Sequence, residues 1–291
     1  MIYIFYLSTK YILKYSKCIR KRASKHNSYR EINTLDNVNL IFYENPIGRG
    51  YINTLLELGR TNTKIIYHSS FSFLTIYRKY LFNKNNFFPL LFIKDKKLRS
   101  LMKEIETFFS LRKNFLKDMY KYNNIYHFKN IKYVNAKSIN SKKLLKYIKS
   151  TDDINFLISH QELVKGLLDS KKKFFHYHPG YLPKVRGADG SLHSILNHDE
   201  LGCTLFQLDK KIDNGPIIRR KIFEFQKFKL SNFKNYNEQE LYRIWFSFVD
   251  PALRCSLLKE CFKEKIRLDK FIDVNASEES NYYTFMDNNE V

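Results

Sequence analysis

The chain has 291 residues, 44% of them hydrophobic, which is enough to bury a full core and excludes a generally disordered polypeptide. No apolar run approaches the length a membrane-spanning helix needs, so a soluble protein is expected. A formal net charge of +22 points either to an anionic partner, such as a nucleotide, RNA or a membrane surface, or to a coding bias that enriches Lys, Asn, Ile, Tyr and Phe together. The coding bias is the expected reading.

Residues 1–36 carry eight Lys or Arg before the first acid, Glu31, beside aromatic and aliphatic residues. Organelle targeting, a membrane-surface helix and a plain extension all fit that pattern, and the plain extension is expected. The run Val38 to Tyr43 reads as a strand and Pro46 to Gly50 as a turn. A helix through Leu55 and Leu58 and a strand from Lys64 to Tyr67 complete a first β-α-β unit. Gly48 and Gly50 form two-thirds of a phosphate-loop pattern; a tight strand-to-helix connection explains them without a ligand.

Residues 71–128 are patterned as helix, with Leu101, Ile105, Phe108, Phe109, Phe115, Leu116 and Met119 on one apolar face, and part of this stretch reads as an insertion. Ile131 to Val134 follows as a strand and Ser141 as the cap of a helix. Ile154 to Ser159 reads as a buried strand, Glu162 to Leu168 as a short helix, and Phe174 to His178 as a strand ending at Pro179-Gly180. That order puts His176 and His178 at the open end of a parallel sheet, where α/β folds bind ligands. Cys203 to Leu208 and Arg219 to Phe225 read as further strands. Asn237 to Glu240 is a capping box, Asp250-Pro251 reads as the start of a second helix, and the tail from Asp273 as an extended arm.

Four cysteines without a paired spacing, Cys18, Cys203, Cys255 and Cys261, fit free thiols in a reducing, cytoplasmic compartment. The histidines are not spaced as a metal site, so no metal is expected. The domain reading is a basic extension over 1–36, an α/β domain over 37–230 and a helical C-terminal region over 231–291.

The stretch Phe174–Ile218 carries the chemistry. His176-Tyr177-His178-Pro179-Gly180, Leu182-Pro183, Arg186-Gly187 and Asp213-Asn214-Gly215 stand in an order and spacing that resembles the folate-dependent formyltransferases, firmly from Asp153 to Ile218. The resemblance implies a Rossmann-like, mostly parallel sheet with flanking helices, followed here by a helical C-terminal extension. It further implies 10-formyltetrahydrofolate as formyl donor. His178 would handle the proton or oxyanion, Asp213 would orient it, and Ser159, His160 and Leu163 would line the pterin pocket. Arg186 and Gly187 would meet the substrate.

The family has Asn where this chain has His176, which would have to supply the donor to the formyl oxygen. A carboxylate beside His178 is expected to raise its pKa. The wording of the loop is closest to bacterial formyltransferase-like proteins of surface-sugar pathways. The pattern after Asp213 leaves little room for the barrel that tRNA formyltransferases carry. A nucleotide-linked amino sugar is therefore the expected acceptor, with methionyl-tRNA in an organelle and a catalytically silent binding protein as alternatives. A homodimer is compatible with all three.

Overall fold

Apolar side chains alternate along each central strand, and the alternation builds two layers. The computed structural model describes residues 34–69, 96–160, 162–228, 236–274 and 277–286. Among these residues, seven strands form one sheet in the order β3-β2-β1-β4-β5-β7-β8. They are β1 (Asn39–Phe42), β2 (Lys64–Ser69), β3 (Asn130–Asn135), β4 (Asn155–Ile158), β5 (Lys173–His178), β7 (Leu201–Gln207) and β8 (Ile217–Phe223). The first five run parallel, and β7 and β8 add antiparallel at one edge. The compact unit comprises Asn33–Val291.

On one face Leu40, Phe42, Ile65, Leu157, Phe175 and Tyr177 join a large core cluster. On the other, Ile41, Ile66, Phe156, Ile158 and Phe174 pack with Leu144 and Ile148. The last two belong to helix α4 (Lys142–Ser150). A period of two along β1, β4 and β5 separates the clusters, and each fully buried Phe or Leu is worth about 2–3 kcal/mol of apolar transfer.

The large cluster is covered by α1 (Pro46–Glu57), α2 (Lys96–Phe108), α3 (Phe115–Met119) and a C-terminal helical run. Asn45 caps α1, its Oδ1 accepting from Gly48 N at 2.7 Å. Gly48 and Gly50 therefore lie inside the helix, and the phosphate-loop pattern has no loop to occupy. They permit close packing: a Cβ on Gly48 would stand 2.5 Å from Tyr43 O, and one on Gly50 2.7 Å from Cys255 Sγ. Glu106 on α2 accepts from Asn114 N and Leu116 N, both at 2.9 Å, and so holds the start of α3. Residues 71–95 of the expected helical stretch lie outside the described residues. Leu101, Ile105, Phe109, Phe115, Leu116 and Met119 are buried as their spacing predicts.

Two local expectations are corrected. Residues 162–168 form turns instead of a short helix. The Glu162 carboxylate accepts from Ser138, Asn140 and Ile139 N, while Asn140 accepts from Lys165 N and donates to Leu163 O, so side chains of the preceding loop claim the groups a helix would use. The second helix does begin at Asp250 as expected, with Pro251 in its first turn, but it is not separate: α6 (Glu238–Ile244), capped by the Asn237/Glu240 box, runs through a π-turn at Trp245–Val249 into α7 (Asp250–Lys263). Ser141 stands at the N-cap of α4, but its hydroxyl accepts from Ser138 N and bonds no helix amide.

The tail forms β9 (Asn281–Tyr283), which pairs in parallel with β6 (Val185–Gly187) in a separate two-stranded sheet. Between β6 and β7 lies α5 (Gly190–His198). Cys203, Cys255 and Cys261 are free and buried, and burial pushes the thiols of Cys255 and Cys261 up to about 12. Among the described residues no helix is long and apolar enough to cross a membrane.

Candidate active site

Strand order reverses between β1 and β4, and the carboxyl ends of β1, β4 and β5 open on the same edge, where a parallel sheet presents its crevice. His178 is the last residue of β5 and is 2% exposed. Its Nδ1 stands 3.5 Å from Asp213 Oδ2, and its Nε2 stands 2.9 Å from Val185 O. A carbonyl only accepts, so Nε2 carries the proton and, in the neutral ring, Nδ1 presents its lone pair to the carboxylate. Asp213 reaches this position from a left-handed backbone at φ +47°, a conformation Asp tolerates better than most residues. Its Oδ2 also accepts from Gly187 N at 2.9 Å.

The two residues that the sequence places 35 positions apart are thus brought together, and β6 holds both through one carbonyl and one amide. The expected direction of the pKa is reversed. Burial holds the His178 imidazole below its ordinary range and outweighs the opposing pull of Asp213, while the Arg254 charge adds to the lowering. Space around Nε2 is closed: a Cβ on Gly180 or Gly190 would stand 2.8 or 3.0 Å from it. Nδ1 is the nitrogen that faces the ionisable partner.

His176 is placed beside the pair, but both its nitrogens are engaged. Arg254 Nη1 stands 3.1 Å from Nε2, which must therefore accept, leaving the proton on Nδ1 to be donated to Ile158 O at 3.3 Å. Burial first and the Arg254 charge second hold its pKa well below the ordinary value. In this arrangement His176 offers no free N–H to a formyl oxygen, which corrects the expectation that its ring substitutes directly for an amide donor.

Arg254 is the residue that sequence reasoning missed. Its guanidinium also donates to Tyr177 O and to Asp250 Oδ2, at 3.0 Å in the latter case, and the pair is almost wholly buried. A lone Arg within an apolar helix carries no motif; only its spacing of four from Asp250 hinted at the pair.

Ser159, expected to line a pterin pocket, is fully buried and spends its hydroxyl inside the fold, accepting from Tyr43 N and donating to Ile41 O. Its carbonyl accepts from Asn45 Nδ2 at 2.8 Å. Leu163 is 53% exposed. His160, expected to line the same pocket, is buried, with its Nε2 at 2.8 Å from Nε2 of His68 and the two rings stacked. His68 accordingly donates from Nδ1 to Ala136 O at 3.2 Å, and His160 donates from Nε2. Burial and the neighbouring His68 bring the His160 pKa down to about 4. Among the described residues no group of three or more His, Cys, Asp or Glu could hold a metal ion.

Beside the dyad lies a cleft of about 420 Å³ lined by Pro183, Arg186, Asp209, Asp213, Phe271 and Asp273, among others. Arg186 Nε is buried there without a hydrogen-bond partner. Gly187 does not line the cleft; its amide is given to Asp213.

No protein-family model matches the chain. A segment of 51 residues is 45% identical to the methionyl-tRNA formyltransferase of Wolbachia pipientis subsp. Culex pipiens, covering 17% of each protein. A segment of 95 residues is 30% identical to the methionyl-tRNA formyltransferase of Thermotoga maritima, covering 31% of this chain and 30% of that protein. The resemblance to the formyltransferase family holds. The matches span less than a third of the length of these formyltransferases. A sugar N-formyltransferase from Shewanella superposes with a TM-score of 0.43 at 16% identity, over 85% of this chain and 76% of that one.

Proposed function

We propose that the protein transfers a formyl group from 10-formyltetrahydrofolate to an amine, with His178 and Asp213 as the proton-handling pair. The observation that carries this reading is the imidazole Nδ1 facing the Asp213 carboxylate at the end of a parallel strand, beside a cleft. In such a transfer the acceptor nitrogen bonds to the formyl carbon, the bond from that carbon to the folate nitrogen breaks, and a proton moves from the acceptor to the leaving nitrogen. A neutral His178 with its proton on Nε2 has one basic atom left, Nδ1, and it points at Asp213. Together they take up the proton, after which the imidazolium donates from both nitrogens, to Asp213 and to Val185 O. Burial keeps the ring neutral and ready to accept at the outset.

The lining of the cleft suits the amine end of an acceptor. Asp209, Asp213 and Asp273 attract an ammonium group, and Arg186 is the positive charge on the same lining. A nucleotide-linked amino sugar is the acceptor favoured, with its phosphates outside the carboxylate-lined part. Methionyl-tRNA is the second reading, favoured by the short sequence matches to methionyl-tRNA formyltransferases.

Labelled formyl transfer from 10-formyltetrahydrofolate to nucleotide-linked amino sugars and to methionyl-tRNA tests both. Asp213→Asn keeps an acceptor for Gly187 N and tolerates the left-handed backbone, but removes the charge. Its kcat should fall by about a hundredfold or more, and His178→Ala should behave alike. Full turnover in either variant would exclude the pair from the chemistry.

A further inference from the structure

We propose that the C-terminal segment Glu278–Met286 is a positioning strap for the His178–Asp213 pair, acting through β6. The Val185 carbonyl that fixes His178 Nε2 and the Gly187 amide that fixes Asp213 Oδ2 both belong to β6. Among the described residues the strand paired with β6 is β9, in the register Val185 with Asn281, Arg186 with Tyr282 and Gly187 with Tyr283. Each ligand of the pair is thus opposite a residue of the tail.

The contact at Gly187 is direct. Its φ of +97° suits glycine, and a Cβ there would stand 2.0 Å from Tyr283 O. The next residue, Ala188, donates its N–H to the same Tyr283 oxygen at 3.1 Å. Asn281 N donates to Lys184 O at 3.3 Å on the other side.

Both ends of the segment are anchored to the body. Glu278 pairs with Arg220 at 2.6 Å, and Arg220 Nη1 also donates to Leu182 O at 2.9 Å. Met286 N donates to Asp189 Oδ2 at 3.0 Å, and Thr284 O stands 2.9 Å from His193 Nε2. Tyr283 stacks on His193 with ring centroids 4.4 Å apart.

Little of this attachment is apolar burial. Tyr282 is 59% exposed and Phe285 76% exposed. A segment held by backbone pairing and a few polar contacts can be released without unfolding the core beneath it. It sets the geometry of the pair and contributes no reacting atom. The structural part of the inference stands without formyl transfer; only its kinetic consequence rests on that reading.

The test uses the full chain with Tyr283→Ala and Met286→Pro together, which removes the stack on His193 and the N–H given to Asp189. Hydrogen exchange at residues 281–283 reports release of the strap, and 15N NMR of the His178 ring reports whether Nε2 keeps its proton. Release should convert the single Nε2–H tautomer into a mixture and lower kcat by about tenfold or more, with KM within about twofold and a thermal midpoint within a few degrees of the parent. A peptide of residues 277–286 added in trans should restore the tautomer.

Glu278→Gln, which weakens one anchor only, should move both readouts in the same direction by less. If the amides of 281–283 exchange freely while His178 keeps its tautomer, the proposal is overturned. If the tautomer changes as expected but neither parent nor variant formylates any amine, the strap stands and the transferase reading falls.

Discussion

Burial lowers the pKa of three histidines of the site, opposed by a neighbouring carboxylate at His160 and His178 and assisted by the Arg254 charge at His176. His160, His176 and His178 all have pKa values below the ordinary imidazole range, His160 at about 4. For His160 the opposing pull comes from Glu162, whose Oε2 lies 4.0 Å from Nδ1, and the lowering from burial and the His68 ring. The unfolded chain takes up a proton near pH 6.5 that the folded chain refuses until about pH 4. The unfolded state therefore binds more protons across that window, and stability falls as pH drops through it, by up to about 1.4 kcal/mol per pH unit for each such group. In His160→Gln the amide nitrogen still donates to His68 but does not titrate. Urea unfolding between pH 6.5 and 5 should show a slope shallower by one proton than the parent; an unchanged slope would mean that His160 titrates normally. The proposed pair, His178 and Asp213, was legible because its motif is local and its landmarks are ordered along the chain. His68 was not, because it lies inside an ordinary strand and its partner is 92 residues away.

At the scale of elements, the central strands were legible from their apolar runs, the start of α6 from its capping box and the start of α7 from Asp250-Pro251, whereas the continuity of α6 with α7 was not. Asp250-Pro251 has the wording of a helix start, but Pro251 is accommodated within a continuous helical run by the π-turn before it. The Asp250 side chain, 0% exposed, turns inward to Arg254, and its Oδ1 has no hydrogen-bond partner. Removing one member of such a buried pair leaves a charge with neither water nor a partner. Arg254→Met should therefore lose about 3–5 kcal/mol of stability in denaturant unfolding, and adding Asp250→Asn should recover much of it. Equal stability of the single and double variants would show that the loss lies in packing alone. The short helix at 162–168 failed for a related reason. Its propensity was read from its own residues, and the contacts that decide its backbone come from the loop containing Ser138 and Asn140.

Across the whole molecule, a formal charge of +22 coexists with a cleft whose charged lining is Arg186 against Asp209, Asp213 and Asp273. The excess positive charge is therefore not concentrated in the lining of that cleft, and an attraction to polyanions would have to come from elsewhere on the chain. Such binding is governed by counterion release and carries little sequence information. The full chain should bind unrelated RNA and tRNA alike at low salt, and both affinities should fall by about a thousandfold between 50 and 200 mM salt if some six phosphates are neutralised. Fluorescence anisotropy with the two RNAs over that range checks this. A tRNA affinity that persists at 200 mM while the control RNA is lost would reveal contacts beyond general charge and would move the acceptor reading from the amino sugar to methionyl-tRNA. Parallel loss of both would leave the basic surface a property of composition, with acceptor choice resting on the carboxylate-lined cleft.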